Sequence, residues 1–108
     1  MVVPGAEAVG VDIENGVITP RAAGFVLAER ERRTLLGPPG GYTARDLFAA
    51  KEAAFKALSS MGRLGDFTFW RIGLRRFGDG LLASYRGEPV PVWVRSEADL
   101  SFAVAIRR

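Results

Sequence analysis

The chain has 108 residues, of which 48% are hydrophobic and 25% charged, values that predict one globular domain over residues 1–108. It contains no Cys and no His, which excludes a disulfide, a thiolate nucleophile, the usual zinc sites and, unless another chain supplies it, an imidazole base. Any metal ion must therefore be a hard cation held by carboxylates: magnesium, manganese or calcium. The net charge of +3 suits an acidic partner and equally suits a slightly basic surface without one.

The sequence shows no sign of a membrane segment. No apolar run reaches the length of a membrane span, and no basic region followed by an apolar stretch opens the sequence. We therefore expect a cytoplasmic protein that does not bind membranes. A nucleic-acid partner is not expected either, because the few Trp and Tyr residues form no aromatic ladder among the basic ones.

The first predicted element is a strand over residues 6–14, because its residues alternate between two faces. One face carries Val9, Val11 and Ile13, and the other carries Gly10, Asp12 and Glu14. Asp12 and Glu14 therefore point the same way, about 7 Å apart, where the two carboxylates repel each other. A divalent cation beside them would remove that repulsion. The alternative is that both acids simply line the exposed face of an edge strand.

Two helices are predicted next. Thr19 and Pro20 match an N-cap and a first helical position, and the helix should run over residues 20–36. Its apolar contacts would be Phe25, Leu27, Leu35 and Leu36, and its exposed part carries Glu29, Arg30, Glu31, Arg32 and Arg33. Thr43 and Asp46 match a capping box that opens a second helix, over residues 44–60, with Gly62 just beyond its end.

The second helix carries a polar stripe. At about 100° per residue, Glu52, Lys56 and Ser59 share one side, with Phe48 and Phe55 packing beside them. The core stripe consists of Leu47, Ala54, Leu58 and Met61. An ordinary i,i+4 ion pair between Glu52 and Lys56 is the simplest explanation. Combined with the two acids of the first strand, however, the three carboxylates and the lysines predict a site for magnesium and a phosphate ester.

The remainder of the chain predicts strands joined by tight turns. We expect strands over residues 67–76, 81–85, 90–94 and 101–106, with hairpin turns at residues 77–80 and 86–89. The order is strand, helix, helix and then an antiparallel meander of strands. The predicted fold class is therefore α+β, with the helices packed on an antiparallel sheet.

Two motifs in this order resemble those of the 4′-phosphopantetheinyl transferase superfamily. The first is Gly10-Val11-Asp12-Ile13-Glu14, and the second, some forty residues later, is an aromatic residue, Lys51-Glu52, three residues and Lys56. The last predicted strand also resembles the last strand of that family. The resemblance covers almost the whole chain and implies a phosphopantetheinyl transferase-like fold.

The resemblance implies an activity and a role for each site residue. Enzymes of this family move 4′-phosphopantetheine from coenzyme A to a serine of an acyl or peptidyl carrier protein. Asp12, Glu14 and Glu52 would be magnesium ligands, and Lys56, with Lys51 as a second candidate, would contact the coenzyme A phosphates. Glu52 and Lys56 would carry the catalysis, with Glu52 helping to deprotonate the serine.

The chain departs from the family in length and composition. It resembles the acidic-motif half of the surfactin-synthetase-activating type, at the length of the short holo-acyl-carrier-protein synthase type. An open site on so small a domain implies a homo-oligomer, a dimer or trimer, or a complementary half-subunit. The basic helix residues, Arg30, Arg32 and Arg33, are candidates for docking an acidic carrier protein, unless Glu29 and Glu31 simply balance them. The alternative function is a catalytically incomplete domain that binds carrier proteins or has a structural role.

Overall fold

A computed structural model describes residues 4–37, 40–59 and 69–108 of the chain. The strands in these ranges are β1 (Ala8–Asn15), β2 (Gly73–Phe77), β3 (Gly80–Tyr85), β4 (Glu88–Ser96) and β5 (Leu100–Arg107). The helices are α1 (Pro20–Val26), α2 (Glu29–Leu35) and α3 (Ala44–Ser59), and a 3₁₀ turn covers Phe69–Arg71. This order of elements confirms the predicted α+β class.

The five strands form one antiparallel sheet in the order β1-β5-β4-β3-β2. The first strand of the chain pairs with the last, and Asp12 lies opposite Ala103 in that pair. The two predicted hairpin turns are confirmed. The turn between β3 and β4 places Arg86 and Gly87 at φ values of 50° and 81°, the left-handed conformation that two-residue hairpin turns favour.

Helix α3 covers one face of the sheet, where it contacts β1, β5 and β4. The contact is close because both partners carry small side chains. Five alanines of the helix are fully buried: Ala49, Ala50, Ala53, Ala54 and Ala57. On β1, a Cβ added to Gly10 would lie 1.9 Å from the Ala53 carbonyl oxygen, so only glycine permits this approach.

The opposite face of the sheet is apolar and, within the described ranges, has no element packed on it. The register places on this face Val9, Val11, Ile13, Phe77, Leu82, Pro91, Trp93, Leu100, Phe102, Val104 and Ile106. None of them belongs to the buried core cluster or packs against it, and Ile13 is 59% exposed. We call this set the open face.

The predicted single helix over residues 20–36 is wrong, because the chain forms two short helices there. Thr19 caps the first of them as expected, its hydroxyl accepting a 3.1 Å hydrogen bond from the Ala22 amide. The break falls where Leu27 and Ala28 adopt extended backbone angles. The prediction that Phe25 packs inward is also wrong, since 76% of it is exposed.

The second predicted helix is confirmed as α3, with its capping box. The Asp46 amide donates to the Thr43 hydroxyl, and the Thr43 amide donates to the Asp46 carboxylate, both at 3.0 Å. Of the predicted core stripe, Leu47, Ala54 and Leu58 are buried. Met61 and Gly62 lie outside the described residues.

The predicted strand over residues 67–76 is wrong in its first half. Residues 67 and 68 lie outside the described ranges, residues 69–71 form the 3₁₀ turn, and β2 begins only at residue 73. The three later strands are confirmed to within two residues at either end. In the part of the chain that the structure describes, no helix has the length and apolar character needed to cross a bilayer.

Candidate active site

Strand β1 directs the Asp12 side chain to the face that α3 covers. The close approach at Gly10, two residues earlier on the same face, brings helix and strand together there. Asp12 is only 7% exposed. Its Oδ1 accepts a 2.8 Å hydrogen bond from the Lys56 ammonium, while Oδ2 is buried and has no hydrogen-bond partner among the described residues. A buried carboxylate oxygen without a partner is costly, so the site favours a bound cation or donor there.

Lys56 reaches this carboxylate from the last part of α3. Its ammonium donates to Asp12 at 2.8 Å and to the Val11 carbonyl oxygen at 3.1 Å. The hydrogen bond to Asp12, together with the negative charges of Asp12, Glu52 and Glu14, raises the pKa of Lys56. Half of the side chain is exposed, so the ammonium is charged and accessible to an anionic ligand.

Glu14 and Glu52 complete the group of acids. Burial is the largest of the effects that raise the pKa of Glu14 to about 7. The neighbouring Asp12 and the charge of Glu52 act in the same direction. Burial and the charge of Asp12 also raise the pKa of Glu52. Three carboxylates thus share one locality with the single ammonium of Lys56, and the excess negative charge makes a divalent cation a favourable addition.

The acidic side chains of the site can supply only part of the coordination shell of a magnesium ion. Within the described residues, no three acidic or other ligating side chains are grouped closely enough to hold a metal ion by themselves. Magnesium, however, is usually bound by one or two carboxylates together with water and phosphate oxygens of the substrate. The unpartnered Asp12 oxygen and the raised pKa of Glu14 therefore fit an ion that arrives with a phosphate ligand.

The structure brings together four of the five side chains that the sequence proposed for the site: Asp12, Glu14, Glu52 and Lys56. The alternative that Asp12 lines the exposed face of an edge strand is wrong, because Asp12 is buried under α3. Lys56 makes its ion pair across to β1, with Asp12, at 2.8 Å.

Lys51 lies elsewhere, roughly 140° from Lys56 around the helix axis. Only 1% of its side chain is exposed, and its ammonium forms a 2.7 Å ion pair with Glu31. Burial lowers the pKa of Lys51, and the bond to Glu31 opposes that effect. Its position therefore favours a structural role over contact with coenzyme A phosphates.

Two residues that shape the site were missed by the sequence reasoning. Glu31 was expected on a solvated helix face, but it is 4% exposed and bonded to Lys51. Nothing in its charged neighbourhood distinguishes it from the exposed charges beside it. Gly10 did leave a signal, because a glycine inside a strand often marks a close approach of another backbone.

The fold is a small α+β domain that carries three acids and an exposed lysine at one edge of its sheet. A family model described as the 4′-phosphopantetheinyl transferase superfamily matches residues 8–106 of the 108. The chain therefore belongs to the 4′-phosphopantetheinyl transferase superfamily, which confirms the resemblance and supports phosphopantetheine transfer in general terms. Comparison with curated proteins gave no match.

Proposed function

We propose that this protein transfers 4′-phosphopantetheine from coenzyme A to a serine of an acyl or peptidyl carrier protein, with magnesium as cofactor. The observation that carries the proposal is the gathering of Asp12, Glu14, Glu52 and Lys56 at one edge of the sheet, in a chain of this superfamily. Their chemistry provides oxygen ligands for a hard cation and an accessible ammonium for phosphate.

Asp12, Glu14 and Glu52 are the residues that would hold magnesium. The buried Asp12 oxygen without a partner supports this assignment most directly. When bound, the ion would neutralise charge on the pyrophosphate of coenzyme A. Lys56 would bind a phosphate oxygen of the same group as a point charge, since half of its side chain is exposed and its raised pKa keeps it protonated.

Glu52 would accept the proton of the attacking serine. The serine oxygen bonds to the phosphorus that carries the pantetheine arm, and the bond from that phosphorus to the bridging oxygen breaks. Adenosine 3′,5′-bisphosphate then leaves with the electron pair. A carboxylate whose pKa is raised by burial is a better proton acceptor near neutral pH than an ordinary one, which supports Glu52 in this role.

A transfer assay tests the function. The protein is mixed with coenzyme A, magnesium and an apo carrier protein, and mass spectrometry measures whether the carrier gains one phosphopantetheine. We expect transfer to occur with magnesium and to stop when a chelator removes the ion. E52Q and D12N should each lower the transfer rate at least a hundredfold. D79N changes an exposed acid in the turn after β2 and should leave the rate unchanged. No transfer to several carriers at high protein concentration would instead favour the catalytically incomplete binding domain.

The basic side chains of α2 are candidates for receiving the acidic carrier. Arg30 is exposed, and Arg33 has only a loose 3.8 Å contact with Glu29. Glu31 does not balance the charge of these arginines at the surface, because Glu31 is buried. R30E/R33E should raise the KM for the carrier about tenfold and leave the KM for coenzyme A unchanged; equal loss of both would contradict this docking surface.

We further propose that the open face packs against a second copy of the chain. The face measures roughly 20 by 25 Å, on the order of 500 Å² before side-chain relief is counted, against roughly 800 Å² that each partner buries in a standard interface. Its charged side chains, Arg75 and Arg95, lie at the margins. A second copy offers the same apolar face, and two such faces can pack as stacked sheets.

Light scattering over a range of concentrations tests self-association. The wild type should be a dimer or larger, whereas W93E, in the middle of the open face, should be monomeric and folded. The control is F25E, which charges an exposed aromatic residue on α1, away from the open face, and should leave the oligomer intact. A monomeric wild type at high micromolar concentration would refute the proposed interface.

A further inference from the structure

The contact between α3 and the sheet consists largely of small side chains. Five fully buried alanines face it from the helix, and Gly10 faces it from β1. Two larger side chains of α3, Leu47 and Leu58, are also fully buried. The alanines interlock less with the sheet than larger side chains would, so polar contacts can add to what fixes the rotation and the axial position of the helix.

The Lys51 ammonium makes three bonds to oxygens of other segments. It donates to Glu31 at 2.7 Å, to the Val26 carbonyl at 2.9 Å and to the Trp70 carbonyl at 3.2 Å. These three acceptors belong to α2, to the end of α1 and to the 3₁₀ turn, and they use all three donors of the ammonium. A buried charge held in this way has one favourable position, because displacement would leave it unpaired.

The Glu31 carboxylate is held just as firmly. Its Oε1 accepts from the Ala28 amide at 2.8 Å, and its Oε2 accepts from the Leu74 amide of β2 at 2.8 Å. The Lys51–Glu31 pair therefore connects α3 to the junction between α1 and α2, to the 3₁₀ turn and to the edge strand of the sheet.

We propose that Lys51 is a positioning residue, which through its buried ion pair with Glu31 fixes the rotation of α3 and so holds Glu52, the next residue, beside Asp12. The inference rests on the proposed function only for the task it gives Glu52. It assigns the two lysines of the motif different roles: Lys56 meets the ligand, and Lys51 orients the helix.

Chemical labelling of the native protein provides the first test, since Lys51 and Lys56 are the only lysines in the chain. Reductive methylation followed by peptide mass spectrometry should modify Lys56 at least tenfold faster than Lys51. Coenzyme A with magnesium should slow labelling of Lys56 and leave Lys51 unchanged. Equal labelling of both lysines, or protection of Lys51 by coenzyme A, would overturn the inference. Failure of coenzyme A to protect Lys56, with Lys51 still unreactive, would count against the proposed function and support the buried pair.

Paired glutamine variants provide the second test. K51Q leaves the Glu31 carboxylate buried without its cation, so we expect kcat to fall at least tenfold while the KM for coenzyme A changes less than about threefold. Adding E31Q removes the uncompensated charge but keeps only one acceptor oxygen for the Ala28 and Leu74 amides, so it should restore part of the lost kcat. The control K56Q should raise the KM for coenzyme A, and E31Q should not rescue it.

The expected fall in kcat with little change in KM follows from the different lengths of the Lys56 and Glu52 side chains. Lys56 is long and half exposed, so it can still find a phosphate after a small rotation of α3, whereas the shorter Glu52 side chain cannot follow. An increased KM in K51Q that E31Q does not rescue would show that Lys51 contacts coenzyme A. If K51Q fails to fold, K51Q/E31Q decides the question: a KM near wild type supports the positioning role, and a KM like that of K56Q overturns it.

Discussion

The two faces of the sheet are built from alternate residues of the same strands, yet they carry side chains of different size. Where α3 crosses β1 and β5, the covered face has glycine or alanine, at Gly10, Ala103 and Ala105. The open face has larger side chains at the intervening positions, such as Val11 and Val104. Small residues let a helix backbone lie close to the strands, and large apolar residues supply the area that an interface with another subunit needs.

The candidate site lies where the covered face ends. Asp12 is on that face and is buried by α3, whereas Glu14, two residues further along β1, is only half-buried. Carboxylates at this margin are desolvated enough for their pKa to rise, but remain open to an incoming ligand. If the two proposals hold, the covered face positions the chemistry and the open face serves assembly.

The largest expected effect comes from adding bulk to the covered face at Gly10. In G10V the new Cβ would meet the Ala53 carbonyl oxygen and the Ala57 amide, both backbone atoms that cannot move aside without shifting the helix. We expect the free energy of unfolding to fall by at least about 3 kcal/mol, measured by urea denaturation.

The control for this prediction replaces a different glycine with a larger residue. Gly24 lies in α1 with no atom near the position of an added Cβ, and G24A should raise the free energy of unfolding by about 0.5 kcal/mol because alanine favours the helix. A G10V variant as stable as wild type would show that α3 does not lie so close to β1.

A matched pair of neighbouring substitutions separates the two faces directly. A103D buries a carboxylate under α3 and should cost about 3 kcal/mol, whereas V104D places the same group on the open face. V104D should lower the stability of the isolated subunit by less than about 1 kcal/mol and abolish self-association. Circular dichroism and light scattering of both variants would measure the two effects; equal loss of folding in both would contradict the assignment of the faces.

Local sequence patterns were enough to predict most of the fold. The caps at Thr19 and Thr43, the glycine turns and the alternation along the strands predicted nearly every element and the α+β class. The missed break between α1 and α2 has a tertiary cause. Besides capping the Ala28 amide three residues earlier, the Glu31 carboxylate accepts from the Leu74 amide, more than forty positions away. No local pattern encodes the second contact.

The site was partly predictable for the same reason. The spacing of Asp12, Glu52 and Lys56 follows from strand and helix geometry, so the sequence could bring them together in principle. The separate roles of the two lysines could not be predicted, because helical angles do not reveal which side of α3 meets α2. The burial of Lys51 depends on Glu31 and on carbonyl oxygens from two other segments.

The smallest predicted effect is a dependence of stability on pH at the margin of the covered face. The folded-state pKa of Glu14 is raised to about 7, above its ordinary value of 4.5. Its protonated form is therefore favoured on folding, so the associated stability is fully present below pH 4.5 and is lost as the pH rises through 7. Because Glu14 is only half-buried, solvent screening reduces the loss to about 1 kcal/mol.

Urea denaturation at pH 4.5 and pH 8 in the presence of chelator would measure this loss, and E14Q, which cannot ionise, should reduce it. Glu52 should contribute in the same direction, because its pKa is also raised. Excess magnesium should diminish the dependence if the acids bind the ion, since a bound cation favours the ionised carboxylates and stabilises the folded state at high pH. A pH dependence that E14Q leaves intact would place its origin outside this group of acids. A dependence that disappears in E14Q but does not respond to magnesium would mean that the acids are desolvated by α3 without serving as ligands.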